Sequence, residues 1–266
     1  MSIEFLESSD FSLAELAPVF TASYEGYFIP FAVDETQLGY MVEVFDLDLS
    51  RSLVAVERER PVGLANLGRR GERTWLGGVG VVLDRRGSGI GESLTRLLLD
   101  QAREAGAREM ALEVIVENAP AIALYEKLGF ARTRELEVLS LAAQTGHSEA
   151  CETDFREGLR VVAAGRSGPE PWQRADETVV NLARRGSTPR SITVDGATAV
   201  FTKDGDRVSL LQAAGDAAGL GALAAALRSR GDVSALNFPT GGPVATALRS
   251  AGATVRLRQY EMVLSL

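Results

Sequence analysis

The sequence predicts an α+β fold built on a mixed sheet, in two similar domains in tandem. Three observations carry this. Strand patterns cluster over residues 52–83 and are followed by a helix–strand–helix–strand run over 90–141, an order that suits a mixed sheet rather than a doubly wound one. A weaker trace of the same kind returns over residues 172–266, which points to a repeat at domain scale. The chain has 266 residues, a length that fits one large domain or two ordinary ones.

The expected order of the first half is β-α-α-β-β-β-α-β-α-β. Phe11 to Tyr24 reads as an amphipathic helix capped by Ser9 or Asp10, and Glu35 to Phe45 as a second helix. Ser52–Glu57, Pro61–Leu67 and Thr74–Leu83 read as strands. The last of these contains Gly77, Gly78 and Gly80, which mark a bulge or a close backbone approach. Ile90 to Ala105 places Leu94, Leu97, Leu98 and Ala102 on one helical face. Met110–Val116 is a nearly continuous apolar strand, Ala119–Leu128 a short helix stopped by Gly129, and Phe130–Leu141 a closing strand.

In the second half, Trp172–Ala183 is expected to be a helix and Ser191–Asp195 a strand. Ala197–Phe201 and Val208–Gln212 flank the KDGD turn as a hairpin. Leu220–Leu227 and Val244–Ser250 read as helices, Val233–Asn237 and Thr254–Leu266 as strands. The polar, turn-rich stretches AQTGHSEACETDFREGLR and GRSGPEPWQR lie between the halves. They place a boundary near residue 145, with domains at 1–145 and 171–266 joined by a linker region at 146–170.

Composition narrows the function. The single Cys151 excludes an intramolecular disulfide and a cysteine zinc cluster, and the single His147 excludes a multi-histidine site, so no metal is expected. A net charge of −8 argues against nucleic-acid binding, which needs clustered Lys and Arg, and is compatible with a cationic small molecule. There is no apolar run long enough to span a membrane, and MSIEFLESSD lacks the regions of a signal peptide. A cytoplasmic protein is the expectation.

The chemistry is concentrated between a strand and an amphipathic helix, where Arg86-Gly87-Ser88-Gly89-Ile90-Gly91 lies. Glycines let such a loop curl so that successive N–H groups point inward, and the helix start adds partial positive charge. Arg85 and Arg86 can add full charge. No lysine follows, so this is not a Walker A loop. Glu92 stands where the third glycine of a dinucleotide fingerprint belongs. The pattern present is R-x-x-G-x-G at Arg86, Gly89 and Gly91, which by itself is equally compatible with an ordinary glycine-rich turn. Downstream, Asn118 to Phe130 reads NAPAIALYEKLGF.

Together, the two motifs resemble the GNAT superfamily of N-acetyltransferases over residues 1 to about 140. The resemblance implies an acyl-CoA N-acyltransferase fold with acetyl-CoA as co-substrate. It implies diphosphate binding by Arg86, Gly87, Ser88, Gly89, Ile90 and Gly91, and backbone pairing of Val79 and Val81 with the pantetheine arm. It also implies a cofactor contact or helix cap from Asn118, and Tyr125 as proton donor to the departing thiolate, with a helix aromatic as the plainer role for Tyr125. The family often has proline where Leu83 stands, which bears on the strand exit.

The general base is open among Glu113, Glu117, Asp46, Asp48, Glu57 and the carboxylate of Leu266. Tyr24, Tyr27, Phe28 and Phe31 would wall the acceptor pocket, with core packing the alternative for the phenylalanines. The expected acceptor is an amine on a small molecule or a protein, and the chain is expected to be a monomer or homodimer. The alternative is a non-catalytic CoA-binding sensor or interaction module. Asn237 to Gly252 is similar to Asn118 to Gly129, with Leu248 in the place of Tyr125. The matching loop, AAGDAAGLG, has no arginine and carries Asp216, so the second domain is expected to be a degenerate copy.

Overall fold

The computed structural model describes residues 3–146, 150–166 and 168–266; His147 lies outside them. Two compact units are present. One runs to Thr133 and takes in Met262–Leu266, and the other is Arg134–Glu261.

In the first unit, β1 (Glu4–Glu7), β2 (Leu53–Glu57), β3 (Arg60–Arg70), β4 (Arg73–Val81) and β5 (Glu109–Ile115) are neighbours in that order. All neighbouring pairs are antiparallel except β4 and β5, which are parallel. Four helices accompany them: α1 (Leu13–Ser23), α2 (Glu35–Val44), α3 (Ile90–Glu104) and α4 (Ala119–Lys127). The strand β6 (Ala131–Leu141) begins in this unit and continues in the second.

Local chemistry sets these boundaries. Helix α1 starts at a capping box in which the Ser12 side chain accepts from Glu15 N while Glu15 accepts from Ser12 N. The start is therefore later than the one expected at Ser9 or Asp10, because Ser8–Asp10 form a separate 3-10 turn. Asp34 and Gln37 box the start of α2 in the same way. Leu94, Leu98 and Ala102 of α3 are fully buried. Leu16, Phe20, Leu38 and Leu64 form the core on the α1 side.

The second unit repeats the element order: β7 (Cys151–Thr153), α5 (Phe155–Gly165), α6 (Asp176–Arg184), β8 (Arg190–Val194), β9 (Ala197–Asp204), β10 (Arg207–Ala214), α7 (Ala217–Arg228), β11 (Asp232–Pro239), α8 (Pro243–Ser250) and β12 (Thr254–Ser265). Its parallel pair is β10 with β11. The stretch expected to be a linker holds β7 and α5, the opening elements of this repeat. Phe155, Leu159 and Val162 of α5 are buried at helical spacing, a pattern masked by polar neighbours. The compact units therefore divide earlier than residue 145, at Thr133, and the last residues of the chain belong to the first unit.

Candidate active site

The site begins where two parallel strands part. β4 and β5 pair at Arg73↔Glu109, Thr74↔Met110 and Trp75↔Ala111. Beyond Trp75, β4 bulges: Asn66 faces Gly78 and Leu67 faces Leu76, leaving Gly77 as the extra residue. A bulge bends its strand, and here it opens a fork. Val82 N donates to Val62 O at 3.0 Å beside the Gly63↔Val81 pair. Val81 is thus a non-hydrogen-bonded position, and its own N–H and C=O turn away from β3 toward the fork. Val79, two residues back, shares that orientation.

The three strand glycines are needed because side chains of the same chain press against them. A Cβ at Gly78 would stand 2.6 Å from the Tyr24 hydroxyl, and one at Gly80 would stand 2.5 Å from Ser23 Cβ. One at Gly77 would meet the Trp75 ring at 2.7 Å. The close approach expected from the sequence is real, but its cause is the end of α1 and a neighbouring tryptophan.

At the tip of β4 the chain makes a turn over Leu83–Arg85 and reaches Gly89, which occupies the N-cap of α3 at φ 86° with no side chain capping the helix. Gly87 is also left-handed, at φ 77°. This leaves the first N–H groups of a long helix pointing at open space. Arg85 and Arg86 both line the cavity and also hold the loop in place. Arg85 donates to Glu57 at 2.9 and 2.7 Å. Arg86 donates to the carbonyls of Val81 at 3.0 Å, Ser23 at 3.1 Å and Glu25 at 2.6 Å. Both tie the loop down, and the main-chain N–H groups of the loop stay on the cavity side. Ser88 turns its hydroxyl back to the Arg85 carbonyl at 2.6 Å, and its side chain lies outside the cavity lining.

The opposite wall comes from α4. Asn118 caps it, accepting from Ala121 N at 3.3 Å; burial pushes the Tyr27 phenol up, and the nearby Asn118 side chain partly offsets that rise. Tyr125 is 8% exposed and packs edge-on against Phe130 at 5.8 Å. Burial first, and then Tyr27, push the Tyr125 phenol well above its ordinary range. Tyr24 is raised by the same two causes, with a further push from Tyr125.

One cavity of about 480 Å³ joins these parts. It is lined by Val79, Val81, Arg86, Gly87, Gly89, Ile90, Gly91, Asn118 and Tyr125, together with Tyr24, Tyr27 and Phe28. Of the expected aromatic wall, Phe31 instead packs on Phe20 at 5.5 Å and on Tyr24 at 5.3 Å, while Phe28 stands 51% exposed. The proximity of Tyr27 to Asn118 is not foreseen from the sequence. The aromatic cluster and the cap residue were each visible there, but their pairing is tertiary.

None of the carboxylates considered as a base lines this cavity. Glu113 accepts from Trp75 Nε1 at 2.8 Å, Asp46 pairs with Arg70 at 2.6 Å, and Glu57 holds Arg85. Asp48 accepts from the Ser50 hydroxyl at 2.6 Å, and Glu117 is exposed. Leu266 N donates to Arg108 O at 2.9 Å, which puts the chain end at the opposite end of β5 from the fork. Glu92 does line the cavity, but hydrogen bonds from Lys127 and then Arg96 hold its carboxyl below the usual range. Among the described residues, no group of three or more His, Cys, Asp or Glu converges on a metal position, and no helix is long and apolar enough to cross a membrane.

A mixed sheet forked beside an uncapped, glycine-led helix defines the acyl-CoA N-acyltransferase class of folds. The Acetyltransferase (GNAT) family model matches residues 15–130, a stretch that lies within the first unit. Over 90 residues the chain is 36% identical to N-alpha-acetyltransferase 30 of Schizosaccharomyces pombe, covering 32% of this chain and 60% of that protein. Over 52 residues it is 50% identical to mycothiol acetyltransferase of Corynebacterium glutamicum, covering 20% of this chain and 18% of that one. These matches span less than two thirds of either relative. A GCN5-related N-acetyltransferase from Sphaerobacter thermophilus has the same fold, with a TM-score of 0.74 at 15% identity, over 99% of this chain and 95% of that one.

Proposed function

We propose that this chain transfers the acetyl group of acetyl-CoA to an amine, at the cavity of its first unit. The observation that carries the reading is that the fork edge, the uncapped helix start and Tyr125 all open on the same cavity. Its volume falls within the range of small-molecule sites, roughly 300–1,000 Å³. The N–H groups from Gly87 to Gly91 offer a nest for a diphosphate. The exposed edge at Val79 and Val81 can accept an extended amide-bearing arm as though it were a strand.

In this reading the neutral amine attacks the thioester carbonyl directly, the C–S bond breaks, and the proton shed by the attacking nitrogen replaces the one that Tyr125 gives to the sulfur. The Val81 N–H faces the fork and is the candidate donor to the developing oxyanion. Tyr125 stays protonated throughout the neutral range because its phenol is pushed upward, and so acts as a standing donor to the departing sulfur. Asn118 and Tyr27 line the same space. The second unit is read as a degenerate copy, with Leu248 where Tyr125 stands in the first. The relatives matched above are named N-alpha-acetyltransferase 30 and mycothiol acetyltransferase, and the test therefore includes both peptide α-amines and small amines.

The test is thiol release from acetyl-CoA against a panel of small amines and peptide N-termini. Turnover with at least one amine, lost in Tyr125→Phe, supports the proposal. Tight CoA binding with no turnover across the panel favours a CoA-binding module instead.

A further inference from the structure

The second unit contains a fork of its own. β10 and β11 pair in parallel from Arg207↔Asp232 to Leu210↔Ala235. Leu211 is then bulged out of the pairing of β10 with β9, and β11 shifts register against β6 between Ala235 and Phe238. Asn237 sits in that shift at φ 57°.

The turn Trp172–Arg174 fills this fork. Trp172 is 3% and Arg174 2% exposed. On the β10 side, Arg174 Nη1 donates to Leu211 O at 3.2 Å, and Gln212 Nε2 donates to Arg174 O at 2.6 Å. On the β11 side, the guanidinium lies 3.5 Å over the Phe238 ring, and Asn237 Nδ2 donates to Gln173 Oε1 at 3.4 Å. Glu170 forms an ion pair with Arg174. Separately, the start of α7 is closed: Asp216 Oδ1 accepts from Gly219 N at 2.8 Å, whereas Gly89 leaves α3 uncapped.

We propose that the second fork is a permanently filled site, in which Glu170–Arg174 takes the place that a cofactor arm takes in the first, so that the chain has one cofactor site. The comparison with a cofactor rests on the reading of the first unit, but the filling of the fork does not. A buried guanidinium is tolerated because a carboxylate, a carbonyl and an aromatic face meet it. A neutral arm that displaced the turn could bond Leu211 O but would offer no cation to the Phe238 ring. Exchange is therefore unfavourable, and the turn is a fixed part of the unit rather than a lid.

The experiment uses the full chain carrying Trp75→Phe, which leaves Trp172 as the single tryptophan. We expect blue-shifted emission and acrylamide quenching about tenfold weaker than that of an exposed indole, both unchanged at saturating CoA. Calorimetry on the unmodified chain should give one equivalent of CoA, and Gly89→Asp should give none. A CoA-dependent red shift, a second equivalent, or residual binding by Gly89→Asp overturns the proposal. Should Trp75→Phe not fold, hydrogen exchange on the unmodified chain decides. Amides of residues 172–175 should be slowed about a thousandfold, and free exchange there overturns it. If the unmodified chain binds no CoA, the acetyltransferase reading fails, while the Trp172 measurement still stands or falls by itself.

Discussion

Arg86 Nη2 donates to the carbonyl of Glu25 at 2.6 Å, across 61 residues of sequence. The same side chain reaches Ser23 O and Val81 O. It therefore fastens the glycine loop to the end of α1 and to the tip of β4. Arg86→Ala should raise the CoA dissociation constant about tenfold, about 1.4 kcal/mol. Arg86→Lys should fail to restore it, since one ammonium cannot serve three carbonyls set by a planar fork. Calorimetry of both variants checks this; full rescue by lysine would show that charge alone matters.

Gly89 makes no contact that a Cβ would disturb, yet its φ is 86°. Its requirement is conformational. Gly89→Ala should cost on the order of 1–2 kcal/mol locally and weaken CoA binding, and Gly89→Asn should weaken it less because asparagine tolerates the left-handed region. Equal losses in the two variants would point to a steric cause.

Tyr125→Phe should lower kcat by about a hundredfold, with little change in KM, if the hydroxyl acts only as the thiolate departs. Because the phenol is pushed above its ordinary range, the hydroxyl stays protonated up to pH values above about 10. The rate should therefore rise with pH as the acceptor amine loses its proton and then level off, with no fall from Tyr125 near neutrality. A falling limb near pH 8 that disappears in Tyr125→Phe would contradict this.

Gly78→Ala forces a methyl against the Tyr24 hydroxyl, 2.6 Å away, in a backbone at φ 143°. The loss in stability should be about 1–3 kcal/mol. Adding Tyr24→Phe should recover only the contact portion, since the backbone strain remains. Urea midpoints of the two variants measure the split.

What the sequence made legible was local. The glycine spacing at 87–91 and the run from Asn118 to Gly129 announce a nest and a capped helix within a few residues of themselves, and the structure places them on one cavity. What it hid was tertiary. Nothing near Arg86 says that its partners are carbonyls at 23 and 25. The glycines at 78 and 80 signal a close approach without saying that α1 makes it. Helix α5 escaped notice because polar turn residues flank Phe155, Leu159 and Val162. The assignment of Met262–Leu266 to the first unit leaves no local trace, and neither does the insertion of Trp172 and Arg174 between two strands.

The most direct measurement is a crystal structure of the chain with CoA bound. The account predicts the diphosphate within about 2.7–3.2 Å of main-chain nitrogens between Gly87 and Gly91, and the arm running along Val79 and Val81 toward Tyr125. A nucleotide seated anywhere else, or an arm that leaves the edge at Val79 and Val81 untouched, would contradict it.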